Sequence, residues 1–212
     1  GPAGPTGPAG SGGGLTAALP YQPYNANILL SEWPLYDQRI SYVQFIAPCT
    51  ASYTHMQFFT TPSSNNNYSG TLGVAIYSNT GSYAGSPNTL IGYGTLYFPN
   101  DNVDKKFHDV TFQSPVNLTA NAFYWAAVAA DNDKHEYLYS GFHNDYNGAY
   151  DIVKYQTSGF TTAGGFPATA SSLKDGEYAF WFRIFNPDAE VRVGEVSLVE
   201  FRALLARVEE LE

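Results

Sequence analysis

The sequence predicts an all-β protein whose head is an antiparallel β-sandwich. Between residues 41 and 185, short runs rich in aromatic and β-branched side chains are bounded by Gly, Asn, Pro, Ser or Asp. Aromatic residues make up 16% of the chain and charged residues only 14%, which is typical of a β-rich protein. No helical period appears before residue 190.

The chain begins with a collagen-like repeat. Residues 1–10 read Gly-Pro-Ala-Gly-Pro-Thr-Gly-Pro-Ala-Gly, and the three-residue glycine period ends after Gly13. Three polyproline-II strands wind together only when the residue at the crowded axis has no side chain, so the repeat predicts a homotrimer. So short a run needs an upstream continuation or ordering by its neighbours. The alternative is a flexible Gly/Pro linker.

Residues 15–36 contain three prolines and no sustained period, which predicts an extended segment that wraps the base of the head. Nine strands are predicted after it. Their ranges are 42–47, 53–60, 72–77, 90–98, 107–112, 123–129, 136–142, 151–156 and 178–185. The segment 123–129 is apolar on both faces, as in a strand buried between two layers, whereas 107–112 alternates as a strand with one wet face does. Two packed sheets fit this pattern better than one.

Three parts make up the predicted chain. Residues 1–14 are the end of a collagen-like stalk and its Gly-rich joint, residues 15–187 are the head, and residues 188–212 are a linker and a helix. Within the head, residues 62–70, 79–88, 100–106 and 156–172 are rich in Ser, Asn, Gly and Thr. This composition predicts surface loops at the ends of a sandwich.

The last sixteen residues predict a trimeric coiled-coil helix. Ser197 and Glu200 form a capping box, in which each side chain accepts a hydrogen bond from the other residue's amide. The apolar residues that follow are spaced as at positions a and d of two heptads. They are Phe201, Leu204, Val208 and Leu211. In this register Arg207 and Glu212 can bridge neighbouring helices; the alternative is a single amphipathic helix packed on its own head.

Composition excludes several functions. The formal net charge of −9 argues against nucleic acid as a partner, because such surfaces need Lys and Arg. No stretch approaches the length of an apolar membrane-spanning helix. The single cysteine, Cys49, leaves no internal disulfide and no thiolate metal cluster, and is expected to be a buried structural thiol. No nucleotide-binding or hydrolase motif occurs, and no cofactor is predicted.

Acidic and histidine residues give weak signs of chemistry. The carboxylate clusters are Asp101/Asp104, Asp131/Asp133 and Asp145/Asp151. Paired carboxylates can hydrolyse glycosides across a cleft, but Asp-Asn-Asp is more typical of a turn, and residues 131–133 lack the glycine and distal Glu of an EF-hand. The histidines lack ligand spacing and are expected to be ordinary surface or half-buried side chains. They are His55, His108, His135 and His143. We predict no catalytic residue and no metal site.

The best candidate ligand site in the sequence is a Tyr-rich hairpin at residues 136–150. It contains five aromatic residues, two acidic residues and two asparagines. Flat rings suit the C–H face of a sugar, and short polar groups suit its hydroxyls. The alternative is a hairpin with one packed face. The predicted ligand-binding residues are His143, Asn144, Asp145, Tyr146 and Tyr150.

Two resemblances to known families follow from these segments. Residues 72–129 run from Leu-Gly-Val-Ala-Ile-Tyr to Pro-Val-Asn-Leu-Thr and Tyr-Trp-Ala-Ala, an order that resembles jelly-roll modules of the carbohydrate-binding or concanavalin-like kind. The succession of collagen-like repeat, Tyr/Asn-rich head and closing helix resembles tail-fibre or minor tail proteins of bacteriophages. This resemblance implies a homotrimer at the virion surface, beside other fibre or tail proteins, whose head adheres to a host surface glycan.

Three functions therefore stay open. The first is a trimeric receptor-binding fibre, in which three weak sugar sites act together. The second is a structural fibre or capsid-decoration protein whose head caps and registers the stalk without a ligand. The third, a glycan-cleaving enzyme, is the least favoured because no acid/base pair is recognisable.

Overall fold

The computed structural model describes residues 30–47, 49–62, 70–81, 85–98, 106–131, 135–140, 153–161, 165–176, 179–180, 182–187, 192–193 and 196–197. Within these ranges the chain is all-β and contains no helix, which confirms the predicted fold class at this level. The collagen-like repeat, the glycine joint and the C-terminal heptads lie outside the described residues, as do the five predicted ligand-binding residues. The trimer and the coiled coil stay predictions.

The described residues form fourteen strands, numbered here in chain order. Their bounds are β1 Leu30–Leu35, β2 Ile40–Ile46, β3 Ala51–Pro62, β4 Gly70–Asn79, β5 Pro87–Phe98, β6 Lys106–Leu118, β7 Phe123–Ala130, β8 His135–Ser140, β9 Val153–Gln156, β10 Lys174–Asp175, β11 Ala179–Phe180, β12 Phe182–Phe185, β13 Arg192–Val193 and β14 Val196–Ser197. Eight of the nine predicted strands each correspond to one strand, and the first six are longer than predicted. The ninth, 178–185, corresponds to two short strands, β11 and β12, which pair with different neighbours.

Two six-stranded sheets and one hairpin contain these strands. In the first sheet the order is β1, β8, β3 and β12, with β11 also paired to β8 and β6 also paired to β3. In the second sheet the order is β10, β9, β2, β7, β4 and β5. Every strand pair is antiparallel, as predicted. β13 and β14 form the hairpin. The capping box of Ser197 and Glu200 stays a prediction, because residues 198–212 lie outside the described residues.

The described end of the segment expected to wrap the base of the head contains a strand, and residues 15–29 lie outside the described residues. β1 pairs with β8 over its whole length, from Leu30 opposite Ser140 to Leu35 opposite His135. Pro34 lies inside β1, and proline within a sheet is confined to edge strands because it has no N–H to donate. β1 occupies the edge of the path through the first sheet, so Pro34 is tolerated there.

Side chains from both sheets fill one shared core. Because alternate residues of a strand point to opposite faces, each sheet contributes one row per strand to this core. Its buried residues include Val43, Phe45, Met56, Phe58, Val74, Ile76, Val110, Phe112, Val128, Phe182 and Ile184. Burial of such side chains contributes about 1.5–3 kcal/mol each, so the shared core is the main source of stability. This arrangement is consistent with the predicted β-sandwich.

Two glycines allow the edges of the two sheets to meet along one side of the shared core. There β5 of the second sheet passes close to β6 of the first. A Cβ atom at Gly94 would overlap the carbonyl oxygen of Thr111, and one at Gly92 would lie 2.6 Å from Cγ2 of Val116. Only a residue without a side chain permits this approach.

The predicted surface loop at residues 156–172 is instead a cover over the second sheet. We call residues 157–173 the cover segment; residues 162–164 of it lie outside the described ranges. Its two phenylalanines are buried against the face of the second sheet that points away from the shared core. This second cluster comprises Ile40, Tyr42, Ala75, Tyr77, Trp125, Ala127, Ala129, Phe160 and Phe166. The prediction that segment 123–129 is buried between two layers was correct, but the outer layer is irregular chain.

Hydrogen bonds fasten the cover segment at several points along its length. Near its start, Gln156 accepts a hydrogen bond from the Ser171 amide (3.1 Å) and donates one to the Ser158 carbonyl (2.6 Å). In the middle, the Tyr77 hydroxyl donates to the carbonyl of Pro167 (2.7 Å). Towards its end, backbone hydrogen bonds of 2.8 and 2.9 Å join residues 168–170 to residues 88–90 of β5. The segment therefore runs from β9 across the sheet to the edge strand β5. It then returns to β9, where Ser171 contacts Gln156.

Three buried tyrosines predict a loss of stability at alkaline pH. Burial raises the pKa of Tyr42, Tyr53 and Tyr77 well above the ordinary value of 10.0. The folded protein therefore holds these phenol protons more tightly than the unfolded chain, and the stability they contribute is fully present below pH 10 and lost above it. We expect the Tm, followed by circular dichroism, to fall between about pH 10 and 11.5.

A matched variant tests the cause of this alkaline loss. The Tyr42→Phe variant lacks one of the three buried phenols. The Tm of this variant should therefore decline less steeply than that of the wild type over the same pH range. A wild-type Tm that stays constant across that range would contradict the prediction.

Candidate functional site

The outward side of the first sheet carries an unusual mixture of exposed side chains. On β3, Tyr53, Met56 and Phe58 point into the shared core, and a register shift between Tyr53 and His55 sets this phase. The alternate residues of β3 from His55 to Phe59 point away from the core. Their paired residues on the neighbouring strands β6 and β12 point the same way. We call this set the exposed face. It comprises His55, Gln57, Phe59, Phe107, Asp109, Thr111, Arg183 and Phe185.

Strand register arranges the exposed face in three rows. At one end Phe59 lies opposite Phe107. In the middle row Gln57 lies between Asp109 and Arg183, and in the last row His55 lies between Thr111 and Phe185. Phe59 lies four residue steps from His55 along β3, so the face extends about 14 Å along the strands. It is long enough for several sugar rings.

An aromatic pair forms the first row. The rings of Phe59 and Phe107 pack edge to face with centroids 5.0 Å apart. Half of Phe107 is exposed to solvent. A large apolar ring left in water offers a contact surface for a ligand with an apolar face.

The middle row supplies polar groups. Nε2 of Gln57 donates a hydrogen bond of 2.5 Å to Oδ1 of Asp109. This bond fixes the Asp109 carboxylate, whose other oxygen can accept from a hydroxyl group. Across the sheet, the Arg183 guanidinium lies over the Phe185 ring, with Cζ 4.7 Å from the ring centroid. The row thus presents an acceptor at one side and a cation at the other.

His55 holds the last row in place. Its ring stacks on Phe185 with centroids 5.3 Å apart. Thr54 Oγ1 lies 2.8 Å from Nδ1 and donates its own proton to Asn186 Oδ1, which leaves Nδ1 of His55 as the donor to Thr54. Nε2 lies 3.0 Å from the Thr111 hydroxyl. Both ring nitrogens of His55 are therefore within hydrogen-bond distance of a threonine hydroxyl group, which positions the ring.

The predicted ligand-binding residues come after β8 in the sequence. His143, Asn144, Asp145, Tyr146 and Tyr150 lie outside the described residues, so their arrangement stays a prediction. The strand that leads to them, β8, belongs to the first sheet and pairs with β1, β3 and β11. The exposed face itself was not identified from the sequence.

Other candidate groups have structural partners. Asp131 accepts a hydrogen bond of 2.8 Å from the Thr71 amide on β4, and Asp133 lies outside the described residues, so the turn interpretation stays a prediction. Cys49 is half-buried rather than buried, and its Sγ lies 3.2 Å from the Tyr53 hydroxyl. His108, expected near the surface, is buried beside Phe58. Among the described residues, no three His, Cys, Asp or Glu side chains come together as a metal site.

A second cationic group lies at the end of the second sheet. Arg39 packs over the Tyr155 ring at 3.7 Å and over the Tyr36 ring at 5.0 Å, measured from Cζ to the ring centroids. Lys174 is a looser neighbour of the same Tyr155 ring, at 5.9 Å. Arg39 therefore contacts two aromatic rings, and its buried Nε, like that of Arg183, has no hydrogen-bond partner among the described residues.

Comparisons with known proteins assign no family. In the part of the chain that the structure describes, no helix has the length and apolar character needed to cross a membrane. No model of a known protein family and no curated protein sequence matches this chain. The features that bear on function are therefore the exposed face and the sequence repeats at the two termini.

Proposed function

We propose that the protein is a homotrimeric bacteriophage fibre protein whose jelly-roll β-sandwich head attaches to host surface glycans. The exposed face is the observation that carries this proposal. It combines a half-exposed aromatic ring with an amide, a carboxylate and a guanidinium on one open sheet surface. Sugars present apolar C–H faces and hydroxyl groups together, and this combination of side chains matches both.

Each row of the exposed face has a part in the proposed attachment. The Phe107 ring, with Phe59 behind it, takes the C–H face of one sugar. Asp109, oriented by Gln57, accepts hydrogen bonds from hydroxyl groups. Because the face is open, each contact stays hydrated at its rim and is weak by itself.

Triplication turns weak contacts into firm attachment. The collagen-like repeat at residues 1–10 and the heptads after Ser197 both favour three copies of the chain. Three linked heads convert later binding events into intramolecular ones, which can raise the overall affinity by about 10²–10⁴. A fibre at the virion surface, facing outward, would use this effect to hold a host cell.

A glycan array probed with the full-length assembly tests the proposal. We expect Phe107→Ala to weaken binding to the recognised glycan by about tenfold, because the ring is the main apolar contact. The matched control is Tyr97→Ala, since Tyr97 is 62% exposed on β5 of the second sheet and should not matter. Sedimentation should show three times the chain mass of 23.1 kDa for both variants.

Two results would contradict the attachment function. Absence of binding to any glycan at high protein concentration would favour the alternative in which the head only caps and registers the stalk. An equal loss of binding in Tyr97→Ala and Phe107→Ala would remove the exposed face from the proposal.

A further inference from the structure

Arg183 is a cation with no ionic partner on the exposed face. Among the described residues, no carboxylate forms an ion pair with its guanidinium, and its buried Nε has no hydrogen-bond partner. Within the described ranges, the guanidinium also lies over the Phe185 ring. In a chain of net charge −9, a partly buried arginine without an acidic partner is available for an external anion.

The Phe185 ring packs against this guanidinium, with Cζ of Arg183 4.7 Å from the ring centroid. A guanidinium that lies flat on an aromatic ring keeps its planar edge free, and that edge matches the two oxygens of a carboxylate. His55 stacks on the same Phe185 ring and is itself fixed by Thr54 and Thr111. The Phe185 ring therefore packs between fixed neighbours. Because Arg183 already rests on this ring, its side chain loses less conformational freedom when an anion binds.

The middle row of the exposed face is negative at its β6 side and positive at its β12 side. Asp109 lies on β6 and Arg183 on β12, with one strand between them, so their backbones are about 10 Å apart. Asp109 repels an anion at its own side, and Gln57 already donates to it. A carboxylate is thus favoured at the β12 side, and uncharged hydroxyl groups are favoured at the β6 side.

We infer that the glycan bound by the exposed face is acidic, with a sugar carboxylate paired to Arg183 and a neighbouring ring on Phe59 and Phe107. This inference rests on the proposed attachment function and names its ligand class. Charge complementarity is the reason to prefer a uronic or sialic acid polymer over a neutral polysaccharide. The strand spacing lets one chain of sugars reach both the cation and the aromatic pair.

Paired polysaccharides test the inference on the full-length assembly. The array carries polygalacturonate, hyaluronan, alginate and polysialic acid, each beside its carboxyl-reduced, uncharged form. We expect the protein to bind at least one carboxylated form about tenfold or more tightly than its reduced partner. Arg183→Gln should abolish that difference, and Arg183→Lys should keep only part of it because a lysine has no planar fork.

Arg39→Gln is the matched control, since it removes the same charge from an arginine that also packs on aromatic rings but lies on the second sheet. It should keep the preference for the carboxylated form. Urea midpoints for all three variants separate lost binding from lost folding, and Arg183→Lys keeps the test valid if Arg183→Gln does not fold.

Several results would overturn the inference, and they differ from failure of the proposed function. If charged and reduced forms bind equally while Phe107→Ala still weakens both, attachment stands and the acidic ligand is wrong. If Arg39→Gln removes the preference as fully as Arg183→Gln, the effect is one of overall charge. If Arg183→Gln changes the sedimenting mass, the face is an interface between copies. If no form binds, the attachment function fails with it.

Discussion

Replacement of Phe160 by alanine is expected to lower the free energy of unfolding by about 3–5 kcal/mol. Phe160 is fully buried, and its ring packs against Phe166 with centroids 5.0 Å apart. A Cβ atom at Gly73 would overlap the Phe160 ring, which shows how closely the ring is seated on β4. The cover segment is irregular, so its position depends on these side chains, and their loss uncovers the outer side of the second sheet.

Urea unfolding followed by circular dichroism measures this effect. Phe107→Ala is the matched control, because it deletes the same ring from a position that is 50% exposed. We expect this control to cost about 1 kcal/mol or less, the scale of a single aromatic pair. If the two variants unfold at the same urea concentration, the cover segment does not contribute to the stability of the head.

Replacement of Gly94 by alanine is expected to cost about 3 kcal/mol, at the upper end of overpacking. The added Cβ would overlap the Thr111 carbonyl oxygen and lie 3.0 Å from Cγ1 of Val110. The obstacle is backbone rather than a flexible side chain, so β5 and β6 must separate to accept the methyl group. Such a movement opens the shared core along its whole side.

A glycine in a loop provides the comparison for Gly94. Gly81 has a φ of +78°, but a Cβ atom there would meet nothing within 4 Å. Gly81→Ala should therefore cost about 1–2 kcal/mol through backbone strain alone. Thermal and urea unfolding of the two variants should rank Gly94→Ala as clearly less stable. The reverse order would show that β5 and β6 are not pressed together as described.

The strands could be predicted from the sequence because each is a local pattern. In 107–112 one phase of the strand, His108, Val110 and Phe112, is buried, and the other phase is exposed. The cover segment could not be predicted in the same way, since a Ser, Thr and Gly-rich stretch has the same composition whether it lies in solvent or on a sheet. The useful signals were Phe160 and Phe166 within that stretch and the doubly apolar segment 123–129, which requires a layer on each side.

Only part of the exposed face could be predicted. Phe107 stands on the wet phase of an alternating strand, and this could have marked it as an exposed ring. The contact of Gln57 with Asp109, and the place of Arg183 beside them, depend on pairing between strands that are far apart in the chain. Periodicity within one strand does not contain that information, because register is set by the whole sheet.

The cover segment makes the two sides of the head unequal. The cover segment buries the central part of the second sheet's outer side and leaves Tyr97 on β5 exposed, while the exposed face of the first sheet leaves Phe107 and Asp109 in contact with water. In an assembly with threefold symmetry, the three heads can bind a surface together only if each exposed face points away from the threefold axis. The rotation of each head about the stalk axis would then decide whether the exposed faces can contact a host surface.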